Sequence, residues 1–361
     1  MKSIQKNKIF IVLPVHNNLE FTKKCLASLS KQTYEKIEVV LIDGGSDDNT
    51  VSYYKKNYKL WKIINGHGNW WWTKSISQGV KYALKTADKD DYVMTMNSDC
   101  VVKSNYLSEM IKCAKNYKNS IIGSLIIDAE SQQKVLDAGV RIDWKRANIY
   151  GVAKMVSNKL SFYAKRDIID KLDTLPGKGT LIPVGVFNKI GNFNYRRLPH
   201  YYGDYEFFCR AKKYGFKLLV NTKARIYNYS KNTGLTHIRK NKTTYTEVLQ
   251  VLFGKKSKLN VIDHLNFLML CCPKKHLGIN LKQIYNKLIV NIVKISPFYY
   301  LHVGIYVLKG LNYKFKILRH NIPIYIKQNK TIKYLMLLTH NIPIYFRQSI
   351  TTFKRQNIPR Q

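Results

Sequence analysis

Short apolar runs, each closed by a polar turn and followed by a segment of helical periodicity, leave this chain little choice of fold. Lys8–Leu13 is a continuous run rich in β-branched residues, which suits a strand buried on both faces. Leu19–Leu29 then places Phe21, Cys25, Leu26 and Leu29 at helical spacing. The pattern repeats with strands expected at Ile37–Ile42, Trp61–Ile64 and Tyr92–Met96, and helices at Thr50–Tyr58 and Ser75–Thr86. A βαβαβ order of this kind predicts an α/β protein, Rossmann-like, with a mostly parallel sheet that binds ligands at the carboxyl ends of its strands.

Charge narrows the partners. Sixty-one Lys and Arg against 22 Asp and Glu leave +39 on 361 residues, which calls for an anionic partner: a nucleotide, a nucleic acid or an acidic lipid. With 45% hydrophobic residues the chain is not a disordered polyelectrolyte. No run of 18 uncharged apolar residues occurs, so a membrane-spanning helix is not expected. The N-terminal apolar stretch is too short for a signal peptide and no cleavage site follows, which points to the cytoplasm. The six cysteines show no metal-ligand spacing, so neither a zinc site nor a disulfide is expected.

Two regions are expected: a catalytic domain over residues 1–240 and a basic, mainly helical region over 241–361. The latter carries twenty Lys and Arg against two acids, Glu247 and Asp263. It contains a duplicated phrase, His320-Asn321-Ile322-Pro323-Ile324-Tyr325 and His340-Asn341-Ile342-Pro343-Ile344-Tyr345. Lys282–Ile295 alternates polar and aliphatic residues at helical spacing and should stop near Pro297. A basic amphipathic region of this kind fits an anionic membrane surface, making the protein peripheral at the inner face of the cell membrane. The same charge fits a nucleic-acid-binding protein. The chain has no recognisable motif of that class, so a nucleic-acid partner is not expected.

The candidate chemistry lies after the strands. Pro14-Val15-His16-Asn17 follows the first and Asp43-Gly44-Gly45-Ser46-Asp47-Asp48-Asn49-Thr50 the second. Carboxylates there can accept hydrogen bonds from a base or a ribose, and the glycines let backbone approach a flat ring. Asn97-Ser98-Asp99 follows the fourth strand, and Gly203-Asp204-Tyr205-Glu206 comes later, with Asp204 six positions before Arg210. With these four motifs in order, residues 8–235 resemble the inverting family 2 glycosyltransferases of GT-A fold, within them the rhamnosyltransferase-like enzymes of bacterial surface polysaccharides.

The resemblance implies a nucleotide-diphosphate sugar as donor and a hydroxyl of a glycan or lipid-linked glycan as acceptor. Donor contacts would come from Pro14, Val15, Asn17, Asp43, Gly45, Trp71, Asn97 and Asp99. Asp99 would hold a divalent cation, Mg²⁺ or Mn²⁺, as hard cations prefer carboxylates. Asn97 stands where the family has an acid, so the site is one charge poorer, and an inactive nucleotide-sugar-binding relative is the other reading. Asp204 matches the family's catalytic base, which removes the acceptor's proton during inversion, with Glu206 as the alternative. Gly179, Thr180, His200 and Glu206 would meet the acceptor. The Q-x-x-R-W motif of processive relatives does not occur, so addition of a single sugar is expected.

Overall fold

The structure, a computed structural model, describes residues 7–229 and 245–293. The chain divides into two compact units, residues 1–237 with 249–277, and residues 238–248 with 278–361. The boundary expected at 240 therefore does not separate the basic third cleanly. Residues 249–277 fold with the first unit, because Val251, Leu252, Leu265, Phe267 and Leu268 are buried there in spite of the charge around them.

The first half follows the expected alternation: β1 (Ile9–Val15), α1 (Leu19–Ser30), β2 (Ile37–Asp43), α2 (Thr50–Asn57), β3 (Lys62–Asn65), α3 (Trp72–Ala83) and β4 (Tyr92–Thr95). Then come β5 (Cys100–Val102), α4 (Tyr106–Asn116), β6 (Ser120–Asp128), β7 (Val135–Asp137), β8 (Val140–Asp143) and β9 (Asn148–Gly151). Two short helices, α5 (Val152–Met155) and α6 (Leu160–Ala164), lead to β10 (Ile168–Ile169), β11 (Thr180–Pro183) and α7 (Val184–Ile190). The unit continues through α8 (Gly203–Lys213) and β12 (Lys217–Asn228). Three further helices follow: α9 (Tyr245–Phe253), α10 (Val261–Cys271) and α11 (Leu277–Val293).

The main sheet runs in the order β10-β12-β6-β11-β4-β1-β2-β3, with β5 beside β12 and β7 beside β6. Strands β4, β1, β2 and β3 are parallel neighbours, as are β6 and β12. β11 runs antiparallel to both β4 and β6 and joins the two parallel blocks. The α/β architecture with a mostly parallel sheet is as expected, and the inserted antiparallel strand has a consequence for the site. In β1, alternate residues face opposite sides of the sheet. Phe10 and Val12 enter one core layer with Ile76 and Val80 of α3, while Ile9, Ile11 and Leu13 enter the other with Cys25, Leu26 and Leu29 of α1. A strand buried on both faces reads as unbroken apolar sequence, which is why these runs are so visible.

In the second unit, α11 covers most of the amphipathic stretch expected over Lys282–Ile295. Its stop near Pro297, the phrases at His320 and His340, and most of the surface expected to meet a membrane lie outside the described residues. No helix among the described residues is long and apolar enough to cross a membrane.

Candidate active site

The strand register sets the site. Val15 pairs with Asp43 and Asp43 with Asn65, so the ends of β1, β2 and β3 lie level along one edge of the sheet. There the first two motifs bind each other. The backbone N–H of Gly44 donates to the Val15 carbonyl at 2.7 Å, that of Asn17 to Ser46 Oγ at 2.9 Å, and that of Asp47 to Asn17 Oδ1 at 2.9 Å. Asp43 is only 5% exposed and accepts from the Gly45 and Ser46 N–H groups at 3.0 and 3.1 Å. The turn is thus held ready by its own polar groups. Pro14, Val15, Asn17, Asp43 and Gly45 share this edge with the end of β4.

Because β11 runs back along β4, with Thr180 opposite Thr95, the residues just before it arrive beside the β4 terminus. They form one wall of a cavity of about 540 Å³ lined by Trp72, Asn97, Asp99, Pro176, Gly177, Lys178, His200, Tyr201, Tyr202, Asp204, Tyr205 and Lys258. Asn97, Asp99, His200 and Asp204 are brought together as the sequence motifs suggest. Gly179 and Thr180 lie one step deeper. Thr180 is fully buried, with its hydroxyl donating to the Pro176 carbonyl at 2.8 Å, and Gly177 and Lys178 take the cavity wall instead.

Asp204 sits in the first turn of α8. Its Oδ2 accepts from the Gly177 N–H at 2.8 Å and its Oδ1 from the Tyr205 N–H at 2.9 Å. Burial pushes the carboxyl up to about 6, against those two hydrogen bonds, which favour the charged form. A carboxylate with that pKa is mostly ionised at neutral pH yet basic enough to take a proton in a transition state. Glu206 is placed differently. Only 3% exposed, it accepts two bonds from the Arg210 guanidinium at 2.7 and 3.0 Å and is not among the cavity's lining residues. The geometry ties it to α8 rather than to an acceptor. Gly203 has a steric reason to be glycine, since a Cβ there would lie 2.2 Å from Thr73 Oγ1 on α3.

Trp72, not Trp71, faces the cavity. Its indole N–H donates to Asn97 Oδ1 at 2.8 Å and its ring meets Phe193 edge-on. Trp71 instead packs near the His200 ring, with centroids 5.3 Å apart. Burial, reinforced by the Lys256 charge, lowers His200 to about 4, so the imidazole is neutral at physiological pH. Tyr202 stacks on Phe267 and His264 of α10 with centroids 5.0 and 5.1 Å apart, so a segment after residue 240 completes the wall.

The donor set at the end of β4 suits a cation shared with a substrate. Asp99 is a lone carboxylate there, and the amide oxygen of Asn97 is already engaged by Trp72. Among the described residues no cluster of three or more His, Cys, Asp or Glu is arranged to hold a metal. A Mg²⁺-like ion commonly takes one or two carboxylates and completes its shell with phosphate oxygens and water, so Asp99 fits such a site only with a phosphate-bearing ligand present. The site residues expected from the sequence did not include Trp72, Lys178 and Lys258. The first lies beside a named residue, while the other two reach the site only through the antiparallel return of β11 and the packing of 249–277.

Residues 10–169 match the family model described as Glycosyl transferase family 2. Glycosyltransferase GlyG of Streptococcus pneumoniae is 25% identical over 106 residues, 28% of this chain and 33% of GlyG. The chain thus spans about a third of that relative's length. The uncharacterised glycosyltransferase RT0329 of Rickettsia typhi is 24% identical over 255 residues, 68% of this chain and 72% of the relative. Among solved structures, Staphylococcus aureus TarS residues 1–349 superimpose with a TM-score of 0.50 at 14% identity, covering 83% of this chain and 79% of that one, a likeness of fold. Residues 10–169 are thus similar to glycosyl transferase family 2, and the α/β sheet of this chain is of the GT-A type.

Proposed function

We propose that the protein transfers a single sugar from a nucleotide-diphosphate sugar to a hydroxyl of a glycan or lipid-linked glycan, with inversion at the anomeric carbon. The observation that carries this reading is the meeting of Asp204 and Asp99 in one cavity at the carboxyl edge of the sheet. Asp204 takes the acceptor's proton while the hydroxyl oxygen bonds to the anomeric carbon. The bond from that carbon to the donor phosphate breaks, and the electron pair leaves with the nucleoside diphosphate. Asp99, together with the donor's phosphates, would hold a Mg²⁺ or Mn²⁺ that offsets the leaving group's charge. The neutral His200 and the Tyr201 and Tyr202 rings offer the acceptor a face that is polar at one end and aromatic at the other.

A panel of nucleotide sugars assayed for release of nucleoside diphosphate tests the reading. One donor is expected to be turned over with dependence on acceptor and divalent cation, and Asp99→Ala to raise its KM about tenfold or more in the presence of metal. If no nucleotide sugar were consumed by the full-length protein, sugar transfer would be the wrong reaction.

The acceptor's location is a related proposal. The basic excess of residues 241–361 supports association with an anionic membrane surface, where each Lys or Arg near the surface contributes about 1 kcal/mol. Full-length protein is expected to sediment with anionic vesicles at low salt and to remain in solution with neutral ones. Equal binding to both would exclude an electrostatic anchor.

A further inference from the structure

Two lysines in the cavity have no place in the reaction as described so far. Lys178 lies between Gly177 and Gly179 on the loop before β11, and Lys258 on the turn before α10. The six ion pairs among the described residues include neither. Lys178 Nζ donates to Asn228 Oδ1 at 2.7 Å, at the end of β12, and Asn228 is itself 1% exposed. That bond orients the ammonium without neutralising it. Lys258 is exposed at the cavity's mouth, but the backbone that carries it is pinned on both sides. The Ser257 N–H donates to the Gly254 carbonyl at 3.0 Å, and Ser257 Oγ accepts from the Leu259 N–H at 3.1 Å. The buried Asn260 caps α10 with its Oδ1 and donates through Nδ2 to the Phe253 and Gly254 carbonyls at 3.0 and 3.1 Å. Partial burial and the charge of Lys178 lower the Lys258 ammonium from the ordinary lysine range, so the two cations feel each other.

Lys178 and Lys258, neither of them in those ion pairs, share the cavity with the carboxylates of Asp99 and Asp204, so a divalent ion bound at Asp99 leaves the lining short of negative charge. A diphosphate supplies it. Without the lysines a divalent ion and the two carboxylates, Asp99 and Asp204, cancel, and Asn97 adds none, so a diphosphate's charge would be unmet. Resting on the sugar-transfer reading, we propose that Lys178 and Lys258 hold the donor's diphosphate together with Asp99 and its cation, so that binding of the leaving group does not depend on the metal alone. Lysine suits the task as a compact point charge with three rotatable donors. The residue that closes the clamp comes from beyond residue 240, so the basic third contributes to the active site.

The test is calorimetric titration of the full-length protein with inorganic pyrophosphate in EDTA, and with the nucleoside diphosphate found in the donor panel. Wild type should bind pyrophosphate without metal. Lys258→Met and Lys178→Met should each weaken it about tenfold to a hundredfold, the range for a hydrogen bond to a charged group. Lys258→Arg should restore most of the affinity, and the loss in turnover should appear in the donor's KM more than in kcat. Thermal melting of each variant separates lost binding from lost fold. Absence of metal-free binding by wild type, or unchanged binding in both Met variants, would overturn the clamp. Failures of the two readings are distinguishable: turnover with lysine-independent binding rejects the clamp alone, whereas lysine-dependent binding without turnover of any nucleotide sugar rejects sugar transfer and leaves a phosphate site.

Discussion

Asp204→Asn is expected to lower turnover by about 10² to 10⁴ while the donor's affinity changes little. The side chain keeps its size but loses the basic oxygen that, in the proposed reaction, accepts the proton of the attacking hydroxyl. Both Asp204 oxygens accept backbone N–H groups, from Gly177 and Tyr205. An amide can accept with only one end, so the variant also turns an NH₂ toward an N–H, and its melting temperature should be measured beside its rate. The pH profile separates the two effects. Because the wild-type carboxyl is raised to about 6, its base form is lost as the pH falls through that value. The wild-type rate at limiting substrate should therefore fall about tenfold per pH unit below about 6 and level off above it. In the Asn variant that acid limb should vanish. A residue that only shaped the helix would leave the limb in place. Near-normal turnover in Asp204→Asn would remove it from the role of base, and Glu206, bound to Arg210, is not placed to replace it.

Much of the part of this site at the ends of β1, β2 and β4 was legible because its signals are local. An apolar run followed by a polar turn marks both a buried strand and the end at which a parallel sheet binds ligands, so Asn17, Asp43 and Asp99 could be located from a few residues on either side. The rest depends on distant chain. Thr180–Pro183 is a four-residue strand ending in proline, and nothing in it announces that it reverses direction beside β4. That reversal is what sets Gly177 and Lys178 against Asn97 and Asp204. The region after 240 was read through its charge, which hides the apolar face that Leu265, Phe267 and Leu268 bury. Trp71 and Trp72 are neighbours at the start of a helix, where successive side chains point about 100° apart, so naming one does not name the other. For Glu206 a signal was present: Arg210 stands four residues on, the spacing at which helical side chains meet.

Gly179→Ala is expected to destabilise the protein by about 2–5 kcal/mol, lowering Tm by about 5–15 °C. Gly179 has a φ of +69°, a left-handed conformation that costs an alanine about 1–2 kcal/mol. A Cβ built there would lie 1.9 Å from Ile226 Cδ1, 2.9 Å from Ser124 Oγ and 3.0 Å from the Tyr106 hydroxyl. All three neighbours are fully buried and cannot swing aside into solvent, so overpacking adds about 1–3 kcal/mol. Relief by moving the backbone is also costly. The Gly179 N–H donates to the Thr95 carbonyl at 2.7 Å, and its own carbonyl accepts from Ser124 Oγ at 2.6 Å. Those bonds tie the loop before β11 to the end of β4. Displacing Gly179 would therefore move Gly177 from Asp204 and Lys178 from Asn228, and donor binding should weaken along with stability. A Tm within about 2 °C of wild type, measured by calorimetry at neutral pH, would show that this loop yields more easily than its packing implies. The same loop holds Asp204 and orients Lys178, so a soft Gly179 would also mean that neither group is set before the substrate arrives.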